Sequence, residues 1–245
     1  MLFQYLKLSN DSENLVPTLN AVPWHSKDVI IGMTLVSALF LGFLIGSSFI
    51  LKTVGTETNE LILPVGIGVL QSFMIAVVWY FTVRKYQAPW SRLGLTIPFT
   101  RLTMIFSVTC LFASLLFTAF YSLMVTTLGI EFLVPEQPLD DLLLGHGFTK
   151  VLNIILIGLW GPFAEELFFR GFVLAALSPT VGTTKAILIS AGAFSLAHMA
   201  IGTLIPIFMT GIILGWLYVK TKSLWAPVMV HVTQNMIALA AISSL

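Results

Sequence analysis

Long apolar runs separated by short polar segments dominate the pattern of this chain. A membrane-spanning helix needs about 20 mostly apolar residues. Seven stretches approach or exceed that length: Val29 to Leu51, Leu61 to Thr82, Leu102 to Gly129, Val151 to Leu177, Ala186 to Ile201, Leu204 to Val219 and Leu224 to Ser244. The fifth and sixth are short, and only Gly202 and Thr203 separate them. The pattern predicts an all-α fold, a polytopic transmembrane helix bundle with about seven spans.

The basic residues between these spans predict the orientation of the chain. Lys and Arg are enriched in cytoplasmic loops of membrane proteins. With a cytoplasmic N-terminus, nine basic residues fall inside: Lys7, Lys27, Arg84, Lys85, Arg92, Arg101, Lys185, Lys220 and Lys222. Only Lys52 and Lys150 fall outside, and Arg170 lies within a span. We therefore predict N-in and C-out.

Composition supports a membrane location. Charged residues make up 9% of the chain and hydrophobic residues 57%, whereas soluble domains carry roughly 25% charged residues. We expect a multi-pass integral membrane protein, in the plasma membrane or, in a bacterium, the inner membrane, with membrane lipid as its surroundings.

The net charge of the chain is +1, which does not provide the broad basic surface that nucleic-acid binding requires, so no nucleic-acid partner is expected. The single Cys110 excludes an intrachain disulfide and a cysteine metal cluster.

The chain divides into three regions. Residues 1–28 form a polar N-terminal segment without the features of a cleavable signal peptide, and the apolar run that follows suits a retained anchor. Residues 29–150 contain the first three predicted spans and their loops. Residues 151–245 contain the other four predicted spans and the candidate chemistry.

Five ionisable side chains lie inside the C-terminal spans, and none lies inside the first three. Each costs roughly 2.5–3.5 kcal/mol on insertion scales, so such residues usually mark function. They are Glu165, Glu166, Arg170, His198 and His231. The candidate site is therefore expected in residues 151–245.

Helical spacing separates the two neighbouring glutamates. Glu166 and Arg170 are four residues apart with the acid first, the favourable order for an ion pair on one helix face. Glu165 points about 100° away from Glu166, because a helix has 3.6 residues per turn, and Phe169 stands four residues after it. The spacing assigns Glu166 and Arg170 to a supporting pair and leaves Glu165 free to act as a general base.

The two histidines extend this arrangement to other spans. His231 and Asn235 are four residues apart and share a helix face, and Phe194 stands in the same relation to His198. At 1.5 Å per residue, Glu165 and His198 lie about 18 Å, and His231 with Asn235 about 11–17 Å, from the cytoplasmic ends of their spans. Three helices thus place these groups at a similar depth.

A carboxylate, two imidazoles and an amide at one depth suit the hydrolysis of an amide bond. Glu165, with His198, would deprotonate a water, and His231 with Asn235 would donate hydrogen bonds to the oxyanion. Alternatively, Glu165, His198 and His231 could bind Zn²⁺, since three ligands plus a water form an open catalytic site. The sequence does not choose between the two; we favour the metal-free version and commit to no cofactor.

Other hydrolase types lack their motifs in this sequence. There is no HExxH, no GxSxG and no Asp inside a predicted span. These absences argue against the usual two-histidine zinc helix, a serine hydrolase elbow and a paired-aspartate mechanism. Ser195, three residues before His198, would need a separate base and oxyanion site.

Three ordered motifs resemble the CPBP family of intramembrane proteases, which contains CAAX proteases and bacteriocin-processing enzymes and is also called the Abi family. They are EExxxR at Glu165 to Arg170, FxxxH at Phe194 to His198, and HxxxN at His231 to Asn235. The resemblance implies that Glu165 and His198 activate water, that His231 and Asn235 stabilise the oxyanion, and that Glu166 and Arg170 support the site. It covers roughly Val151 to Leu245.

The sequence therefore predicts an intramembrane endopeptidase, a glutamate-type or metal-dependent protease, acting on a membrane-associated protein or peptide. Two rivals stay open at this point. One is a non-catalytic scaffold or bacteriocin-immunity protein that keeps the fold. The other is a proton-coupled transporter, although no internal repeat of the kind found in many transporters is visible.

Overall fold

The computed structural model describes residues 21–53, 59–96, 100–135 and 147–243, and within these ranges the chain is helical and has no strand. Apart from short 3-10 turns, the described residues form seven helices: α1 Ser26–Thr53, α2 Asn59–Trp79, α3 Arg101–Thr127, α4 Gly147–Val181, α5 Thr183–Ala197, α6 Leu204–Thr221 and α7 Trp225–Ser243. Helix α2 continues into a π-helical turn, Tyr80–Arg84. The predicted all-α class is confirmed, and most of the polar N-terminal segment 1–28 lies outside the described residues.

Among the described residues, five segments are long and apolar enough to cross a membrane: Ser26–Phe49, Pro64–Arg84, Arg101–Thr127, Gly147–Val181 and Ile201–Thr221. The two remaining helices are α5, with 15 residues, and α7, with 19. Each predicted span thus corresponds to a helix, and the chain is a multi-pass integral membrane protein. The number of crossings and the N-in, C-out orientation stay predictions.

Helix α5 ends earlier than the apolar run predicts. The run extends to Ile201, but the helix stops at Ala197, with His198 as its cap. The backbone N–H groups of His198 and Met199 bond to carbonyls three residues back, and Met199 takes a left-handed φ of 51°. The hydroxyl of Ser195 donates to the carbonyl of Leu204, at the start of α6, over 2.6 Å. His198 therefore stands at a helix end rather than in mid-helix, and Ser195 has a structural role.

Helix α4 lies at the centre of the bundle and contacts α1, α2, α5, α6 and α7. Every residue from Leu167 to Leu174 is buried. Helices α5 and α6 pack closely against each other, because Gly211 on α6 faces Ala191 on α5 so tightly that an added Cβ would lie 2.9 Å from the Ala191 Cβ. This is the small-residue spacing that lets two helices approach. Helix α3 packs on α6 and α7 at the other side.

Two π-helical turns, Leu156–Trp160 and Leu167–Leu174, flank the short α-helical stretch Gly161–Glu166 inside α4. Such insertions often occur at functional sites and disturb the regular backbone hydrogen bonds. The carbonyls of Phe169 and Phe172 accept hydrogen bonds from Ser190 and Trp24, at 2.8 and 3.0 Å. Side chains from elsewhere in the bundle thus bond to the widened turns of the central helix.

Candidate active site

An open cavity of about 710 Å³ lies among α2, α3, α4, α5, α6 and α7. This volume is within the 300–1,000 Å³ typical of ligand pockets. Five of the residues singled out from the sequence line it: Glu165, Phe194, His198, His231 and Asn235. Glu166 and Arg170 are fully buried and stand beside it. The structure therefore brings the predicted residues of three motifs to one place.

The ion pair predicted between Glu166 and Arg170 is confirmed. Oε1 of Glu166 lies 2.9 Å from Nη1 of Arg170, in an alignment that makes an ion pair rather than a hydrogen bond. Nη2 of Arg170 donates to the carbonyl of Gly211 on α6 over 3.4 Å. The guanidinium also stacks 4.4 Å from the ring centre of Phe194, a cation–π contact. These contacts join α4, α5 and α6 around one buried charge pair.

The same oxygen of Glu166 also contacts His231. Nδ1 of His231 lies 2.9 Å from Oε1 of Glu166, and the ring is buried. Since a carboxylate only accepts hydrogen bonds, Nδ1 carries the proton. Sequence spacing predicts a purely supporting role for Glu166 through Arg170. The structure adds that Glu166 fixes the orientation of a candidate catalytic imidazole on another helix.

Glu165 faces the cavity, and its side chain is 23% exposed. Its Oε2 lies 3.8 Å from Nε2 of His231, which is too long for a hydrogen bond. Arg170 forms its ion pair with Glu166 instead. The Glu165 carboxylate is thus reachable from the cavity, next to an imidazole but not hydrogen-bonded to it.

His198 is exposed, lines the cavity and is oriented by its own helix end. Its Nδ1 lies 2.8 Å from the carbonyl of Phe194. A carbonyl oxygen cannot donate, so Nδ1 bears the hydrogen, and Nε2 of the neutral ring keeps its lone pair. This is the tautomer that a base or a metal ligand needs at Nε2.

Phe194 separates the two imidazoles. Its ring meets His198 edge-on at 4.8 Å and His231 edge-on at 5.7 Å between ring centres. Since the same ring covers the Arg170 guanidinium, Phe194 contacts the supporting charge pair and both histidines. The predicted supporting position of Phe194 therefore has a physical basis in packing.

Asn235 is positioned by a backbone group that the distorted helix α4 leaves free. Its Nδ2 donates to the carbonyl of Ile157 over 2.8 Å. The N–H of Gly161 bonds to Leu156, five residues back, instead of to Ile157. Pro162, the next residue, has no N–H to offer. The Ile157 carbonyl thus accepts the Asn235 amide, whose second N–H is not used in this contact.

Two uncharged carboxamides, which a pattern of ionisable residues does not reveal, belong to the same cavity. Gln71 on α2 and Gln234 on α7 also line the cavity. Gln234 donates through Nε2 to Ser114 over 2.7 Å, and Ser114 shares a 2.7 Å hydrogen bond with Thr210. A sequence signal did exist, since Gln234 lies between His231 and Asn235 in the third motif and Gln71 is a carboxamide within an apolar span.

A catalytic zinc site would require three donor side chains close together. Across the described parts of the chain, no three His, Cys, Asp or Glu side chains come together in a group that could hold a metal ion. Glu165 and His231 approach each other, but His198 does not join them as a third ligand. The arrangement therefore does not fit a three-ligand zinc site.

Comparison with known proteins gives an independent result for the same region. Residues 147–237 match the family described as Rce1-like, type II CAAX prenyl endopeptidase. The chain is 32% identical over 84 residues to "Putative membrane peptidase YdiL" of Bacillus subtilis (strain 168), a match that covers 34% of this chain and 34% of the relative. The match thus spans about a third of that relative's length.

No solved structure matches the chain. The family match begins with α4 and ends within α7, so it contains all three motifs and the helices that carry them. The resemblance predicted from those motifs is confirmed. Residues 147–237 of this chain are thus similar to the Rce1-like family of type II CAAX prenyl endopeptidases, and 84 residues of the chain are similar to a putative membrane peptidase.

Proposed function

We propose that this protein is an intramembrane endopeptidase that hydrolyses a peptide bond of a membrane-associated protein or peptide. The observation that carries the proposal is the meeting of Glu165, His198, His231 and Asn235 on one cavity inside an apolar helix bundle. The family match and the name of the bacterial relative support peptide hydrolysis.

Glu165 and His198 supply the two acceptors that an attacking water needs. The carboxylate of Glu165 and Nε2 of His198 both accept hydrogen bonds, so a water between them would present its oxygen lone pair to the substrate carbonyl. As the water oxygen bonds to the carbonyl carbon, Glu165 takes one proton from the water. The electrons of the C=O double bond move to the carbonyl oxygen, which becomes the oxyanion. The C–N bond then breaks while Glu165 returns the proton to the departing amine.

His231 and Asn235 would stabilise the negative oxygen of the tetrahedral intermediate. The free N–H of the Asn235 amide is one donor. In its imidazolium form His231 donates through both nitrogens, with Glu166 accepting from Nδ1 and Nε2 turned towards Glu165 on the cavity wall. Donors fixed before the reaction lower the barrier because they need not reorganise. Glu166 and Arg170 hold the imidazole in place.

We propose a metal-free mechanism, because the donor groups do not fit a three-ligand zinc site. Zinc content of the purified protein, together with activity before and after chelation, tests this choice. Stoichiometric zinc with activity that the chelator removes would contradict it.

The substrate is proposed at the level of a membrane-associated protein or peptide. The matched family is described by its action on CAAX prenyl substrates, and a lipidated peptide is therefore a reasonable first substrate to test. Peptides with and without a prenyl group, compared in one assay, would show whether the lipid is required.

The replacement of Glu165 by Gln tests the function. We expect Glu165→Gln to insert and fold like the wild type but to lose activity by about 10²–10⁴-fold, the usual contribution of a general acid–base group. Cleavage of a quenched fluorescent peptide by the protein in lipid nanodiscs measures the rate. Glu131→Gln, in the turn after α3, is the control for loss of a charge elsewhere.

Full activity of Glu165→Gln would show that the base is assigned wrongly. Absence of cleavage by the wild type across lipidated and plain peptides would favour the non-catalytic scaffold instead.

A further inference from the structure

Two carboxamide oxygens of cavity-lining residues are buried and have no donor within the described part of the chain. Gln71 is 6% exposed, and its Oε1 has no hydrogen-bond partner among the described residues. The Oε1 of Gln234 is likewise buried and, within the same described ranges, unpartnered. Buried polar atoms are nearly always satisfied, so such an exception calls for an explanation. Both side chains line the cavity that contains Glu165.

Gln234 is held through its carboxamide nitrogen, and its Oε1 has no donor among the described residues. Its Nε2 donates to Ser114 on α3, and Ser114 is in turn hydrogen-bonded to Thr210 on α6, each over 2.7 Å. These bonds hold the carboxamide from two further helices. The oxygen of Gln234 is therefore available as an acceptor, and the residue lies three positions after His231 and directly before Asn235.

Gln71 approaches the helix that carries the proposed base. A Cβ added to Gly161 would lie 2.4 Å from Nε2 of Gln71, so any larger residue at this position would displace the carboxamide. Gly161 stands four residues before Glu165, hence on the same side of α4. The glycine therefore makes room for Gln71 beside the face that bears Glu165.

The chemistry of these acceptors indicates their ligand. A peptide that enters a cavity within the bilayer loses water from its backbone N–H groups, and each N–H needs a new acceptor. Glu165 and His198 are assigned to the water, and His231 and Asn235 act as donors to the oxyanion. Neutral carboxamide oxygens suit neutral N–H donors, and main-chain hydrogen bonds of this kind give affinity without demanding one sequence.

We infer that Oε1 of Gln71 and Oε1 of Gln234 accept hydrogen bonds from backbone N–H groups of the bound peptide and so position it along the cavity. The inference rests on the proposed function, because it concerns the substrate of that site. Gln71 and Gln234 are positioning residues, while the chemistry stays with Glu165 and its partners.

Binding to an inactive full-length chain tests the inference without turnover. Fluorescent apolar peptides are titrated into the Glu165→Gln protein in nanodiscs, and the tightest binder becomes the probe. The probe is then N-methylated at one backbone amide at a time. Titrations are repeated with Gln71→Met and Gln234→Met, each added to Glu165→Gln, and with Gln87→Met as the control. Gln87 is an exposed carboxamide in the loop after α2.

We expect one N-methylation to raise Kd about tenfold in the Glu165→Gln protein, as the loss of a buried hydrogen bond predicts. Gln71→Met should raise Kd of the parent probe by a similar factor, and N-methylation at that amide should then have no further effect. Gln234→Met should show the same coupling with a different amide, and Gln87→Met should change nothing. Because each comparison is made within one variant, general destabilisation does not imitate coupling.

Independent, additive effects of the methyl groups and the Gln substitutions would overturn the inference, as would the absence of any binding peptide. Gln71→Asn shortens the side chain but keeps the acceptor, and it serves as a second variant if Gln71→Met does not fold. If each probe had the same Kd for this variant as for the Glu165→Gln protein, that result would also count against the inference. Cleavage of the probe by the wild type is measured separately. A probe that shows coupling but is not cleaved would contradict the proposed hydrolysis and leave the inference intact.

Discussion

Helix α1 and helix α4 are both apolar enough to cross a membrane, yet they differ in how much of each helix is buried by the rest of the protein. Buried residues make up 44% of the apolar window of α4 but only 11% of that of α1. Side chains such as Ile45 on α1 and Leu116 on α3 are exposed, where lipid tails would cover them. Helix α4 is enclosed by five other helices and contains Glu165, Glu166 and Arg170.

The difference shows what apolar sequence means in a membrane. Apolar side chains suit lipid and protein interior equally, so apolarity alone does not identify the core. Charged groups do identify it, because they are tolerated only where other protein groups surround and pair them. Helices α1 and α2 pack on each other and on α4, whereas α3 packs on α6 and α7. The polar groups of the site are carried mainly by α4, α5 and α7.

The largest expected effect concerns the buried ion pair. Arg170→Met should lower the free energy of unfolding by about 3–5 kcal/mol, because Glu166 would keep a buried charge without its partner. Thermal or denaturant unfolding in nanodiscs measures the loss. Lys85→Met is the control: Lys85 pairs with Asp28, but its side chain is 43% exposed, so its loss should be much smaller. Equal losses of unfolding free energy in Arg170→Met and Lys85→Met would show that burial of the ion pair makes no difference to its contribution.

The next effect is on catalysis. Glu166→Gln keeps an oxygen for His231 but removes the charge, and charged hydrogen bonds are stronger than neutral ones. We expect kcat to fall about tenfold or more with little change in KM, given the energy of a charge-assisted bond. Steady-state cleavage kinetics give both constants. A change in thermal stability alone, with kcat unaltered, would limit Glu166 to the supporting role predicted from the sequence.

A smaller effect is expected from the distorted turn of α4. Pro162→Ala supplies an N–H near the Ile157 carbonyl, where it would compete with the Asn235 amide. We expect kcat of Pro162→Ala to fall severalfold. Asn235→Ala should lower kcat roughly tenfold or more, because it removes an oxyanion donor. If the two substitutions act through the same group, Pro162→Ala should add nothing to Asn235→Ala in the double variant.

The smallest effect is expected on the lipid-facing side. Leu116→Ala on α3 should change the free energy of unfolding by no more than about 0.5 kcal/mol, as for exposed positions generally. Leu174→Ala on α4, where the side chain is fully buried, is the matched comparison and should be clearly destabilising because it opens a cavity. Similar unfolding midpoints for both variants would show that α3 is covered by protein rather than by lipid.

The sequence predicted each helix but placed some ends wrongly. Apolar runs define membrane helices because the backbone must satisfy its own hydrogen bonds in lipid. They do not define where a helix stops when the next residues are also apolar. Helix α5 therefore ended at Ala197 and not at Ile201, since the turn depends on the hydrogen bond between Ser195 and Leu204.

By itself, the sequence determined the apolar helices, the three ordered motifs and the pairing of Glu166 with Arg170, all of which depend on local composition or spacing. Only the tertiary structure decided that Glu166 contacts His231, 65 residues away, that Asn235 bonds to Ile157, and that Gln71 and Gln234 line the same cavity. These contacts depend on how each helix is rotated against its neighbours. In an apolar solvent the hydrophobic pattern does not reveal that rotation, because both faces of a helix can be apolar.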